Sequence, residues 1–180
     1  LKANLNIIKE TPPNYPQTNY EYKSFKIFKY WSLKEVINDR ILFSDDKKII
    51  KENFKNNFRK SVSSQLLADT NVGAFLSGGI DSSLVVAFMK EVSSKSFDTF
   101  TIGFKEKNFS EHLKAEELTR HLGIKNNQLF LKGSDMIDVI QKIPDIYDEP
   151  FADSSQLPTF LLSQFAVKNV KVALSGDGGD

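Results

Sequence analysis

A chain of 180 residues with 40% hydrophobic and 26% charged residues has the make-up of one ordinary globular domain, or of one domain plus a short arm. Its 24 Lys and Arg against 23 Asp and Glu leave a formal charge of +1, which gives no electrostatic case for a nucleic-acid or membrane surface as main partner. No cysteine is present, which excludes a disulfide scaffold, a thiolate metal site and a cysteine nucleophile within these residues, and no run of about 18 apolar residues could span a bilayer.

Residues 1–44 read as an irregular arm. Thr11-Pro12-Pro13-Asn14-Tyr15-Pro16 breaks any helix, because proline lacks the N–H and restricts its predecessor. Phe25 to Trp31 suits a short strand, and Leu33 to Ile37 suits one helical turn. From Asp45 the pattern changes. Ile50, Phe54, Phe58, Val62 and Leu66 recur every four residues, which places them on one helix face, with Ser44 or Asp45 to cap it. Lys47, Lys48, Lys51, Lys55, Arg59 and Lys60 decorate that helix. Asp45, Asp46 and Glu52 interrupt the charge and no aromatic ladder accompanies it, so a solvated surface is the better reading than a nucleic-acid face.

Four apolar runs follow, Val72 to Leu76, Phe97 to Phe104, Asn127 to Leu131 and Val170 to Leu174. Helical patterns fall between and around them, over Ser82–Val92, Ser110–Leu122, Ser134–Ile143 and Ser154–Lys168. Strands alternating with helices imply crossover connections, hence an α/β fold: a Rossmann-like open parallel sheet with helices on both faces. Ligands of such sheets bind outside the carboxyl ends of the strands. Two glycine-rich stretches end strands there, Ser77-Gly78-Gly79 and Ser175-Gly176-Asp177.

Leu76-Ser77-Gly78-Gly79-Ile80-Asp81-Ser82-Ser83 joins a strand to a helix. Glycines let backbone approach an anion, the helix N-terminus offers unpaired N–H groups, and three serines add hydroxyls. Asp81 would repel a bare phosphate but suits one bridged by Mg²⁺. The stretch lacks the Gly-Lys-Ser/Thr ending of a Walker A loop and the spacing of a Gly-x-Gly-x-x-Gly loop. Asp148-Glu149-Pro150 and Asp153-Ser154-Ser155 precede a helix; three acids there suit Mg²⁺ or amine contacts, or Asp153 is simply an N-cap. The backbone of Ser175 to Asp180 can form an anion nest, or a plain surface turn; its acids lack calcium-loop spacing. His112 and His121, nine apart on one helix, lie on opposite sides and cannot share a metal.

Ser77-Gly78-Gly79-Ile80-Asp81-Ser82-Ser83 resembles the pyrophosphate loop of the ATP pyrophosphatase superfamily. Tyr147 to Pro158, Val172 to Asp180, and Phe100-Thr101-Ile102-Gly103-Phe104 followed by Glu111, Ala115 and Leu122-Gly123 further resemble the synthetase domain of glutamine-dependent, class B asparagine synthetases. The resemblance runs over about residues 25–180. It implies an adenine nucleotide alpha-hydrolase-like fold over 45–180 and a connector arm over 1–44 leaving an N-terminal glutaminase domain. The expectation is a fragment cut at both ends, incomplete on its own as an enzyme.

The activity implied is that of a cytoplasmic carbon–nitrogen ligase. ATP and Mg²⁺ activate aspartate as an acyl-adenylate, and ammonia from glutamine gives asparagine, AMP and pyrophosphate. By the resemblance Leu76, Ile102 and Gly176 border the adenosine, and Ser77, Gly78, Gly79, Asp81, Ser82 and Ser83 hold the pyrophosphate. Asp81 and Asp180 take Mg²⁺, Ser175 and Gly176 contact AMP, and Asp177 stands where a glutamate linked to the acyl-adenylate is found. Asp148, Glu149 and Asp153 are the candidates on the acceptor side. A homodimer is the candidate assembly, with neither nucleic acid nor membrane as partner. Three competitors stand beside this reading: amidation of another acid such as a sugar acid, a tRNA-modifying adenylase, and a non-catalytic nucleotide-binding module. The second is expected to carry a basic patch and often cysteines; the third lacks the Ser-Gly-Gly-x-Asp-Ser loop.

Overall fold

A computed structural model describes residues 20–22, 25–27, 29–38, 46–104, 111–149 and 152–178. Its contacts divide the chain into two units, Leu1–Ile50 and Lys51–Asp180. In the first, β1 (Tyr20–Tyr22) pairs antiparallel with β2 (Phe25–Ile27), and α1 (Leu33–Asn38) follows. The strand expected over Phe25–Trp31 therefore ends at Ile27 and has a partner that the sequence did not announce.

Helix α2 (Lys47–Gln65) begins at the end of that unit. Its predicted apolar stripe is only half covered. Val62 is buried and Phe58 and Leu66 pack on the core, but Ile50 and Phe54 are 44% and 50% exposed. Arg59 ties α2 to α3 (Ile80–Val92): its guanidinium sits 5.7 Å from the Phe88 ring centre and its Nε donates to Glu91 at 2.6 Å.

The second unit is built on one parallel sheet. Its strands are β3 (Val72–Phe75), β4 (Asp98–Phe104), β5 (Lys125–Leu131) and β6 (Val172–Leu174), in the order β5-β4-β3-β6. Alternate residues face opposite ways. Ala74 and Leu76 pack against Val85, Val86 and Met89 of α3 and Ala115 of α4 (Glu111–Leu122). Phe75 and Phe100 turn the other way, onto Leu162, Phe165 and Ala166 of α7 (Gln156–Ala166). Helices thus cover both faces, as the strand–helix alternation predicts. Two further helices, α5 (Gly133–Ile140) and α6 (Ile143–Ile146), connect β5 to α7. Among the described residues no helix is long and apolar enough to cross a membrane.

Strand β5 begins two residues earlier than its apolar run. The added residues, Lys125 and Asn126, are polar and meet polar partners on β4, Asp98 for the first and Thr99 and Thr101 for the second. Lys125 Nζ and Asn127 Nδ2 donate to Asp98 Oδ2 at 2.8 and 3.0 Å. Burial alone would raise the Asp98 pKa, but the hydrogen bonds from Lys125 and Asn127, with the Lys125 charge, outweigh it and hold the carboxyl below its ordinary value. A depressed folded pKa contributes stability above the unfolded value and loses it as pH falls through the folded one. Asp98→Asn should therefore lower stability by about 0.5 kcal/mol at neutral pH, because Lys125 is largely exposed. The difference from wild type should shrink as pH drops below 3.8. Denaturant titrations above and below that pH check it.

Candidate active site

The order of the strands reverses at β3. From it the chain moves outward to β4 and β5, then returns across the sheet to place β6 on the other side. In an open parallel sheet such a reversal leaves a crevice beyond the carboxyl ends of the two adjacent strands. Both glycine-rich stretches emerge there, Ser77-Gly78-Gly79 from β3 and Ser175-Gly176-Asp177 from β6.

The first loop turns at Gly78, whose φ is +82°, a conformation glycine adopts without strain. It also lies flat on α4: a Cβ at Gly78 would come within 2.5 Å of the Glu111 carbonyl oxygen. Helix α3 starts at Ile80, two residues before the expected Ser82, with Gly79 as its N-cap residue. The freed Ser82 side chain turns back into the loop. Its Oγ accepts the Ser77 N–H at 3.3 Å and lies 3.0 Å from Ser77 Oγ, which in turn accepts the Gly79 N–H at 3.2 Å. The first intrahelical bond runs from Ser83 N–H to Gly79 C=O, so the amides just ahead of it lie at the helix terminus with its partial positive charge.

The second loop fits against this terminus. A Cβ at Gly176 would come within 2.6 Å of the Ser82 nitrogen, so only glycine allows the approach. Ser175 Oγ donates to Asp177 Oδ2 at 3.0 Å and accepts the Asp177 N–H at 3.3 Å, which turns the loop on itself.

Between the loops opens a cavity of about 480 Å³. Phe75, Leu76, Ile102 and Phe104 line it from the strand ends, and Pro158 and Leu162 from α7. Ser77, Asp81, Ser82, Ser175 and Asp177 supply its polar side. An adjoining cavity of about 440 Å³ shares Asp81 and Ser175 to Asp177, and its apolar wall is Phe54, Phe58, Val62 and Leu84.

Of the residues expected from sequence, Leu76, Ser77, Gly79, Asp81, Ser82, Ile102, Ser175, Gly176 and Asp177 all line the first cavity. Gly78 is turned onto α4, and Ser83 sits in the first turn of α3. Asp148 and Glu149 are exposed and do not line the cavity. Asp153 stands apart from it too: its Oδ1 accepts the Ser155 N–H at 2.8 Å ahead of α7, and hydrogen bonding to Ser155 holds its carboxyl below the ordinary value. Asp180 lies outside the described residues. Phe75, Thr159 and Leu162 also line the cavity without having been singled out in the sequence, and Phe104, Ser155 and Pro158, which belong to the quoted motifs, line it without having been given a site role. Face alternation along the strands could have found Phe104, two residues beyond Ile102; the α7 residues carry no such signal.

One wall of the cavity is apolar and suits a base, while the other joins hydroxyls, helix amides and carboxylates and suits phosphates. Among the described residues no group of three or more His, Cys, Asp or Glu gathers to hold a metal alone. Mg²⁺ bound through one or two carboxylates and substrate phosphates needs no such group, so Asp81, which lines both cavities, fits it as a single described ligand. His112 packs edge-on against Phe130 at 5.2 Å, part of the α4–β5 contact.

Residues 53–180 match the asparagine synthase family. A relative from Methanocaldococcus jannaschii is 38% identical over 159 residues, covering 88% of this chain and 30% of the relative. The glutamine-hydrolysing asparagine synthetase 1 of Bacillus subtilis is 37% identical over 137 residues, covering 76% of this chain and 21% of that protein. Among solved structures, the NH3-dependent NAD synthetase of Campylobacter jejuni aligns at a TM-score of 0.46 with 17% identity, over 69% of this chain and 54% of that one. The chain thus spans less than a third of the length of these curated relatives. A match that takes in both glycine loops and every strand of the parallel sheet makes this chain a member of the asparagine synthase family.

Proposed function

We propose that these residues form the ATP-handling part of an enzyme that amidates aspartate to asparagine, with nitrogen from glutamine-derived ammonia. The observation that carries the reading is the convergence of the Ser77–Ser83 and Ser175–Asp177 loops on one crevice at the strand-order reversal, in a chain of this family. Phe75, Leu76, Ile102 and Phe104 offer the adenine an apolar slot. The hydroxyls of Ser77, Ser82 and Ser83 and the amides at the start of α3 take the pyrophosphate. When bound, Mg²⁺ supplies charge neutralisation on the phosphates, with Asp81, and Asp180 beyond the described residues, as its protein ligands.

The chemistry is two displacements. A carboxylate oxygen of the acceptor attacks the α-phosphorus of ATP, and the bond to the β-phosphate oxygen breaks to release pyrophosphate. Ammonia then attacks the acyl carbon, loses a proton, and AMP departs. The residues contribute by holding reactants in line and by placing donors where the leaving charge builds. Asp177, which lines both cavities, is assigned to the acyl-adenylate. Glutamine hydrolysis is assigned to another part of the full-length protein, reached through an arm over 1–44, since these residues hold no cysteine. Asp148, Glu149 and Asp153 remain the proposed acceptor-side acids, although they do not line the cavity here.

Full-length protein should exchange labelled pyrophosphate into ATP only when aspartate is present, and should release AMP in proportion to asparagine formed. Aspartate failing while a sugar acid succeeds would move the protein to another amidation with the same ATP chemistry. Exchange with no carboxylic acid at all would defeat the reading.

A further inference from the structure

We propose that Thr101 is a positioning residue for the Ser77–Gly79 loop: its buried hydroxyl fixes the peptide plane from which the loop leaves the sheet. The proposal rests on the reading of that loop as the pyrophosphate site.

Strand β3 parts from β4 at Leu76. The Leu76 N–H still follows the ladder and donates to Phe100 C=O at 2.9 Å. The Leu76 C=O accepts from the Thr101 hydroxyl, at 2.8 Å. The N–H of the same peptide plane belongs to Ser77 and donates to Ser82 Oγ at 3.3 Å. Two side-chain hydroxyls therefore clamp the two ends of one peptide plane, and the loop begins at its far edge. Thr101 is fully buried, so no water can replace its hydroxyl.

The Asn126 side chain holds this hydroxyl in place. Thr101 Oγ1 lies 2.8 Å from Leu76 O and 3.0 Å from Asn126 Oδ1. Thr99 Oγ1 lies 3.2 Å from Lys125 O and 3.0 Å from the same Asn126 oxygen. Each hydroxyl has one proton and cannot serve two acceptors. Asn126 Nδ2 is meanwhile buried without a partner among the described residues. Turning the amide through half a revolution removes the double demand on each hydroxyl and gives Nδ2 its partners, with Oδ1 taking the position Nδ2 leaves. Nδ2 then donates to both threonine oxygens, and each hydroxyl proton is free for its carbonyl. Asn126 donates, Thr101 passes the bond on, and Leu76 receives it.

Thr99 supplies the matched control. It is on the same strand, equally buried and bonded to the same amide, and like Thr101 it lines no part of the cavity, but its carbonyl partner is Lys125 and not the residue from which the loop departs. In the full-length protein Thr101→Val should raise KM for ATP about tenfold and leave KM for aspartate within about twofold. Thr101→Ser should restore the ATP value. Thr99→Val should lose a comparable amount of thermal stability with KM for ATP unchanged. Should Thr101→Val not fold, Asn126→Asp carries the test, since it removes the donor and should raise KM for ATP about threefold. Equal shifts in Thr99→Val and Thr101→Val would make the effect merely structural and overturn the proposal. So would an unchanged KM in Thr101→Val or in a folded Asn126→Asp. Wild type showing no ATP binding is a separate outcome, which defeats the functional reading and this proposal together.

Discussion

Asp81→Ala in the full-length protein should lower pyrophosphate exchange by about 100-fold or more and leave the fold intact. The two halves of that expectation have different sources. Asp81 is exposed in the first turn of α3, and no core cluster includes it. Its removal opens no cavity and strips no buried partner. Its carboxylate nonetheless faces both cavities at the helix terminus, where phosphate charge would gather. An acid placed among anion-binding amides repels the substrate unless a cation lies between, so its removal should matter only to turnover. Asp81→Asn keeps the shape and drops the charge, and should be nearly as inactive. Exchange rates and thermal midpoints on the same preparations check it. Full exchange in Asp81→Ala would remove Asp81 from the proposed metal site.

Gly78→Ala should fail in the opposite order, through stability first. Two penalties meet at this residue. Its φ of +82° is strained for any side chain, and the added Cβ would press on the Glu111 carbonyl at 2.5 Å and on Lys114 Cβ at 3.0 Å. Backbone strain of about 1–2 kcal/mol and overpacking of about 1–3 kcal/mol together give a loss of roughly 2–5 kcal/mol. Two other glycines separate the contributions. Gly123 also has a positive φ, +62°, but open space where a Cβ would stand, so Ala there should cost about 1 kcal/mol from strain alone. Gly133 opens α5 with neither problem, so Ala there should be neutral or stabilising by about 0.5 kcal/mol. Denaturant midpoints of the three variants should fall in that order. Gly78→Ala matching Gly123→Ala would mean that the loop can lift off α4.

The site was legible where local chemistry announces itself. Glycines and serines between an apolar run and a helical pattern identify the Ser77–Ser83 loop without any knowledge of its surroundings, and Ser175 to Asp177 follow a strand in the same way. The rest depends on what lies across the sheet. Thr159 and Leu162 line the cavity only because α7 is laid over β3 and β4, and nothing in their own sequence marks them. Strand β5 was expected from Asn127; Lys125 and Asn126 also belong to it because Asp98, Thr99 and Thr101 offer them polar partners on β4. The stripe on α2 shows the converse. Its spacing gave the face correctly, but spacing does not say how far the core extends, and Ile50 and Phe54 reach past it.

The pairing of β3 with β6 also has a kinetic consequence. Ala74 faces Thr99 across 25 residues of chain, whereas Val72 faces Val172 across 100 (172 − 72). Closing a loop four times longer costs about 1.2 kcal/mol more in chain entropy, so β6 should dock after the β3–β4–β5 sheet has formed. The crevice does not exist until it does. A ligand that bridges the two loops would bind only the completed sheet and so slow the departure of its last strand, making resistance to unfolding in the presence of ATP a measure of how firmly β6 is held.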